Sequence, residues 1–143
     1  MTGLWAPNYD YVTFAYDAGG RLVETVFPNG VDAQYVWNPD NTLASVTNRQ
    51  GSTVVSSAAY TYDNVGNRQT LAETVGGTTV NYTYGYDALN RLIQVSNGNA
   101  AQQGAYSYDP LGNRLTQSVG QTSPSVTAYV YDAANSTGAG VRS

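Results

Sequence analysis

The 143-residue sequence has no cysteine, no histidine and no lysine; its six cationic residues are all arginine. Each absence removes a class of chemistry. Without cysteine there is no disulfide, no thiolate nucleophile and no thiolate metal site. Without histidine there is no Ser-His-Asp triad and no imidazole ligand. Without lysine there is no Schiff base, and the glycine-rich turns lack the lysine of a phosphate-binding loop. An oxygen-only calcium site at Asn38-Pro39-Asp40-Asn41 would have Asp40 as its single carboxylate within the turn, and the EF-hand loop and the Gly-Gly-x-Gly-x-Asp repeat are both missing. No catalytic residue, metal ligand set or cofactor site is read from the sequence. Charge is scarce as well: 11% of residues are charged and the net charge is −4. Nothing attracts a phosphate backbone, so nucleic-acid binding is not expected. No apolar run reaches the ~18 residues of a helical membrane span. Met1-Thr2-Gly3-Leu4-Trp5 has no basic region followed by an apolar core, so no signal peptide is read there. Helical periodicity is absent over any useful length.

What the sequence does have is tyrosine, 13 residues against two Phe and two Trp, and it recurs in a pattern. Tyr106-Ser107-Tyr108-Asp109-Pro110-Leu111-Gly112-Asn113-Arg114-Leu115 is the fullest copy. Phe14-Ala15-Tyr16-Asp17-Ala18-Gly19-Gly20-Arg21-Leu22 opens the series. Tyr60-Thr61-Tyr62-Asp63-Asn64-Val65-Gly66-Asn67-Arg68 and Tyr84-Gly85-Tyr86-Asp87-Ala88-Leu89-Asn90-Arg91-Leu92 are two more. Tyr35-Val36-Trp37-Asn38-Pro39-Asp40-Asn41-Thr42-Leu43 is degenerate, with Trp for the second Tyr, Asn for the Asp and Thr for the Arg. Tyr129-Val130-Tyr131-Asp132-Ala133-Ala134-Asn135 begins a sixth copy without its Arg-Leu. The second aromatics, Tyr16, Trp37, Tyr62, Tyr86, Tyr108 and Tyr131, are spaced by 21, 25, 24, 22 and 23 residues. A near-constant period in this range marks a repeat architecture.

The motif Tyr-x-Tyr-Asp-x-x-(Gly)-Asn/Gly-Arg-Leu resembles the YD repeat of the Rhs proteins, teneurins and insecticidal toxin-complex shells. The resemblance runs from Phe14 to Asn135, nearly the whole chain. It implies β-hairpins that coil into a hollow shell, often around a toxin domain, and an extracellular or bacterial cell-surface setting.

Read in order, residues 1–8 form an irregular lead-in, 9–135 an all-β, antiparallel hairpin array of five and a half repeats, and 136–143 a flexible tail. Strands of aromatic and β-branched residues alternate with turns. In each repeat one turn begins at the Asp after the second aromatic. The other turn varies: Asn29-Gly30 and Asn97-Gly98, where both residues tolerate positive φ, Gly76-Gly77, and a longer polar loop over Asn48–Ser52. Strands of ~8 residues on either side account for the period, giving about eleven strands.

The two aromatics of a repeat lie two positions apart, so they share one strand face and form a ladder across repeats. Packing is the favoured reading of this ladder; a sugar-binding platform is the alternative. Asp17, Asp63, Asp87, Asp109 and Asp132 stand where a carboxylate accepts backbone N–H groups. Arg21, Arg68, Arg91 and Arg114 close the turns, five or six residues after the second Tyr. Each is placed to pair with the Asp, stack on a Tyr or bond to turn carbonyls. A catalytic pair is needed once, whereas these recur, so a structural role is read and the chain is not read as an enzyme. Both terminal strands lack Lys and internal Pro, the usual guards against edge pairing. A homo-oligomer or filament joined through strand edges is therefore expected.

Overall fold

The computed structural model describes residues 11–98, 103–120, 125–130 and 141–142. All regular structure among them is β: β1 (Thr13–Tyr16), β2 (Leu22–Val26), β3 (Val31–Trp37), β4 (Leu43–Gln50), β5 (Thr53–Tyr62), β6 (Arg68–Val75), β7 (Thr78–Tyr86), β8 (Leu92–Ser96), β9 (Gly104–Tyr108), β10 (Arg114–Val119), β11 (Ser125–Tyr129) and β12 (Val141–Arg142). The strands are hydrogen-bonded in chain order from β1 to β12, and neighbours run antiparallel, as in β1–β2 and β9–β10. The fold is the hairpin array that the repeat pattern implies. No helix among the described residues is long and apolar enough to cross a membrane. The chain divides into two compact units, Met1–Ala59 with Thr74–Thr78, and Tyr60–Glu73 with Thr79–Ser143.

The strands are half-buried rather than buried. In the first unit Ala33, 3% exposed, and Thr25, 4% exposed, are buried and face each other across β2 and β3. No large side chain among the described residues is fully buried. Side chains alternate between faces, as in β9, where Tyr106 and Tyr108 are half-buried and Ala105 and Ser107 exposed. Stability in such a sheet comes from cross-strand pairs and ladder hydrogen bonds more than from a close-packed interior.

Three expectations change. First, the polar stretch 48–52 is not a loop. β4 runs on to Gln50, which faces Thr53 across a tight turn at Gly51. Its polar side chains are satisfied within the sheet: Asn48 Nδ2 donates to Ser56 Oγ at 2.9 Å and Arg49 Nη1 to Gln34 Oε1 at 2.7 Å. Second, at Asn29-Gly30 only the glycine has positive φ, at 81°. The turn spans three residues, closed by Phe27 N donating to Val31 O at 2.8 Å and Gly30 N to Phe27 O at 3.0 Å. Asn97-Gly98 likewise has positive φ only at Gly98, whereas Gly76 and Gly77 both do. Third, the expected tail contains β12. Val141 and Arg142 pair with Tyr129 and Ala128, because the edge of β11 offers N–H and C=O groups that a further extended backbone segment satisfies. The lead-in 1–8 and residues 131–140 lie outside the described residues.

Candidate functional site

The recurring feature of this molecule is a turn. In all five described repeats the residue after the second aromatic (position i: Asp17, Asn38, Asp63, Asp87, Asp109) donates its N–H to the carbonyl of i+4 at 2.8–3.0 Å. Its own carbonyl accepts from the N–H of i+3 at 3.0–3.1 Å. The i+3 residue is left-handed each time: Gly20, Asn41, Gly66, Asn90 and Gly112. This is a three-residue hairpin loop, a type I turn closed by a left-handed residue. Glycine pays no steric penalty there, and asparagine is the residue that most nearly tolerates it.

The aspartate holds the turn from inside. Oδ1 of Asp17 accepts from Gly19 N and Arg21 N, both at 2.9 Å. Asp63, Asp87 and Asp109 repeat this with the N–H groups of i+2 and i+4. Oδ2 accepts from the side chain at i+4, which comes in two kinds. In repeats one and four it is arginine: Arg21 Nε to Asp17 and Arg91 Nε to Asp87, both at 2.7 Å. In repeats three and five it is asparagine: Asn67 Nδ2 at 2.9 Å and Asn113 Nδ2 at 2.8 Å. All four carboxyls are held below the ordinary aspartate value. The backbone N–H of Arg21 and of Arg91 is the leading cause at Asp17 and Asp87, and the Asn113 amide at Asp109; at Asp63, partial desolvation is outweighed by the Asn67 side chain and backbone. The degenerate turn moves its carboxylate to i+2. Asp40 Oδ1 accepts from Thr42 Oγ1 at 2.7 Å and Thr42 N at 3.0 Å, and Asn38 Nδ2 donates to Thr42 Oγ1 at 2.9 Å.

The arginines that the sequence pattern aligns are therefore two structural kinds. Arg68 and Arg114 stand at i+5, where the other repeats carry Leu22, Leu43 and Leu92. They lie between the first tyrosines of their own and the following repeat. The Arg68 guanidinium is 5.8 Å from the Tyr60 ring centre and 4.5 Å from that of Tyr84; Arg114 is 5.9 Å from Tyr106 and 4.4 Å from Tyr129. Arg114 Nη2 also donates to Tyr129 Oη at 2.7 Å. Arg68 Nε is buried with no hydrogen-bond partner. Burial pushes the Tyr84 phenol above its usual value, with the Arg68 cation opposing.

The i+5 residue is also the cross-strand partner of the second aromatic: Tyr16 with Leu22, Trp37 with Leu43, Tyr86 with Leu92, Tyr108 with Arg114. One residue further on, Val23, Ala44, Ile93 or Leu115 is an extra residue in the return strand, a β-bulge beside each of these four turns.

Neighbouring repeats are joined by side chains as well as by the ladder. Trp37 Nε1 donates to Leu22 O at 2.7 Å, Tyr86 Oη to Arg68 O at 3.0 Å and Tyr108 Oη to Leu92 O at 2.8 Å. In each case the second aromatic bonds the i+5 carbonyl of the preceding repeat. The i+4 side chain reaches the following turn: Arg21 Nη1 donates to Asn38 O at 3.1 Å, Asn67 Nδ2 to Asn90 Oδ1 at 2.9 Å and Arg91 Nη1 to Asp109 O at 2.9 Å. Arg91 also lies 4.8 Å from the Tyr108 ring centre. Of the residues singled out in the sequence, Tyr131 and Asp132 lie outside the described residues. Leu22, Leu92, Asn67 and Asn113 were missed. Counting six residues from the second aromatic, rather than aligning the arginines, finds the i+5 position in every repeat.

Among the described residues no group of His, Cys, Asp or Glu is arranged to hold a metal ion. No protein-family model and no curated protein matches the chain. Solved structures do. A chain of the Photorhabdus luminescens Tc holotoxin pore superposes with a TM-score of 0.71 at 20% identity, over 82% of this chain and 7% of that one. Chains of the TcdB2-TccC3-Cdc42 and TcdB2-TccC3 crystal structures give TM-scores of 0.74 and 0.72 at 19% and 20% identity, covering 89% and 83% of this chain and 8% of each of theirs. The chain thus spans less than a tenth of the proteins whose fold it shares. The recurrent turn and the shared fold together support its resemblance to the YD-repeat proteins.

Proposed function

We infer that the chain is a structural, non-enzymatic segment that forms part of a β-sheet wall, as a piece of a toxin-enclosing shell or of a secreted or cell-surface scaffold. The observation that carries this reading is the repetition of the turn. The carboxylate at position i accepts the backbone N–H groups of i+2 and i+4, and a side-chain N–H from an arginine or asparagine at i+4, in four repeats. Among the described residues, each aspartate of the motif is spent on holding its own turn, rather than standing free as a catalytic group would. The joined repeats supply a wall: side chains of the first, third and fourth repeats bond groups on the next. The Tc toxin chains of like fold favour an extracellular bacterial setting, and the antiparallel strand ladder favours assembly into an oligomer or filament by edge pairing.

Sugar recognition through the aromatic face has less support, because Tyr84, Tyr108 and Tyr129 are already stacked against arginine. Light scattering and electron microscopy of the purified chain over rising concentration test the structural reading, with a glycan array run on the same sample. Regular assemblies and a blank array are the expected result. Saturable binding of one glycan class by a monomer overturns it.

A further inference from the structure

Among the arginines whose side chains are described, Arg68 alone donates no hydrogen bond to a described residue. Arg21 and Arg91 are tied to their aspartates, Arg49 to Gln34 and Arg114 to Tyr129. Arg68 instead lies between the rings of Tyr60 and Tyr84. It opens β6, and the two rings come from β5 and β7, the strands on either side. Its Nε is buried without a partner, and it is the only Arg68 nitrogen in that condition, so the two Nη groups are within reach of solvent. The guanidinium is thus held with its inner edge covered and its outer N–H fork open.

Internal contacts do not account for this arrangement. Leucine fills the same i+5 place in three other repeats. Arg114, at that place in the fifth, is closed by the Tyr129 hydroxyl at 2.7 Å. The Tyr84 hydroxyl, the counterpart of that of Tyr129, has no hydrogen-bond partner among the described residues. A buried polar atom left without a partner calls for a reason, and a cation that two rings have partly stripped of water, with no anion in exchange, gains from a ligand.

We propose that the outer edge of the Arg68 guanidinium, between Tyr60 and Tyr84, is a binding site for a carboxylate group. The guanidinium presents two parallel N–H groups in one plane, and a carboxylate accepts both through its two oxygens. A carboxylate is flat, so it enters edge-on between two rings. It is also singly charged, which matters because acid is near. Burial is the main reason that the Tyr84 phenol is raised, and the Glu73 carboxylate adds to it. With Glu73 beside the same ring and a net charge of −4, the chain repels a phosphate dianion more than a monoanion. An acidic amino-acid side chain and a sugar acid share this chemistry. The site goes beyond the wall-forming role and does not depend on it.

The test follows the arginine Nε–H signals of the intact chain by NMR while sodium acetate replaces sodium chloride at constant ionic strength. The Arg68 signal, identified by its loss in Arg68→Leu or Arg68→Lys, is expected to shift and saturate. The Tyr84 ring signals should follow with the same midpoint, and the Arg91 and Arg114 signals should stay. The Tyr84 response should vanish in Arg68→Leu and should need about tenfold more acetate in Arg68→Lys, which keeps the charge but loses the fork. Inorganic phosphate should act more weakly than acetate. N-acetylglutamate amide and glucuronate separate the two sources: whichever binds more tightly names the source, and either result supports the site. An Arg68 signal that does not move, an unsaturated drift shared by all six arginines, or equal responses to acetate and phosphate overturns the proposal. An equal response to neutral glucose also overturns it, because the ligand would then lie on the ring faces.

Discussion

Replacing Arg68 and Arg91 separately by leucine separates two residues that look equivalent in the sequence. Arg91→Leu removes the bond from Nη1 to Asp109 O and the stacking on Tyr108. A hydrogen bond from a charged donor contributes about 1.5–3 kcal/mol, and a partly exposed cation–π contact about 0.5–1 kcal/mol. The ion pair with Asp87 adds little, because both side chains remain about a quarter exposed, at 26% and 22%. Leucine recovers some apolar contact, so a net loss of about 2 kcal/mol is expected. Arg68→Leu gives up stacking on Tyr84 and the longer contact to Tyr60, about 1–2 kcal/mol together. It also removes a buried Nε that has no acceptor, an arrangement that costs about 1–3 kcal/mol. It places leucine where three other repeats already have it, so the balance lies near zero. Urea denaturation followed by intrinsic fluorescence measures both. A midpoint lowered clearly by Arg91→Leu and hardly at all by Arg68→Leu is expected. Equal losses would refute the assignment of the two arginines to different positions.

Tyr108→Phe should cost about 1 kcal/mol, the value of one hydrogen bond, because Tyr108 Oη donates to Leu92 O, whereas Tyr16→Phe should cost nothing measurable, its hydroxyl having no partner among the described residues; a comparable loss at both sites in thermal melts would contradict this difference. Gly112→Ala should cost about 1–2 kcal/mol, because φ is 91° with open space around the added Cβ, and Gly112→Asn should cost less, as Asn90 shows; the opposite ranking in chemical denaturation would count against the turn geometry. The folded-state pKa of Asp17, Asp40, Asp63, Asp87 and Asp109 lies below the ordinary value of 3.8. Their stabilisation is therefore fully present above about pH 5 and is lost as the pH falls through about 4 and below. Melting temperatures level above that window and falling beneath it are expected, and a flat profile down to about pH 2 would show that the carboxylates do not hold the turns.

The period, the strand content and the Asp-anchored turn were legible because each leaves a residue at a fixed place. Tyr-x-Tyr-Asp is local, and its chemistry follows from residue type. The two kinds of arginine were not legible from the alignment of motifs. Arg-Leu in one repeat and Asn-Arg in another read as the same ending with a one-residue gap, whereas the turn length is constant and the arginine moves. Only the hydrogen bond from Asp17 N to Arg21 O, against that from Asp63 N to Asn67 O, fixes the frame. The stretch 48–50 misled because polar residues in a half-solvated sheet look like a loop until their cross-strand partners are known. The asparagine-glycine turn misled for a different reason: the dipeptide serves a two-residue loop and a three-residue loop equally well, and flanking Pro28 and Phe27 determine the longer one only through backbone pairing.

The second aromatic and its partner across the Asp turn are six residues apart at each of the four turns with a bulge, whereas the distance from the i+5 residue to the next second aromatic ranges from 15 to 19 along the sequence. All of the irregularity in the period is therefore confined to one end of the hairpins. One end works like the bound spine of a book and the other like its untrimmed pages. Evolution and protein engineering meet the same asymmetry: a foreign peptide inserted between Gly76 and Gly77 changes only a margin that already varies, while a single residue inserted between Asp87 and Arg91 shifts the frame of every side chain that joins that repeat to the next.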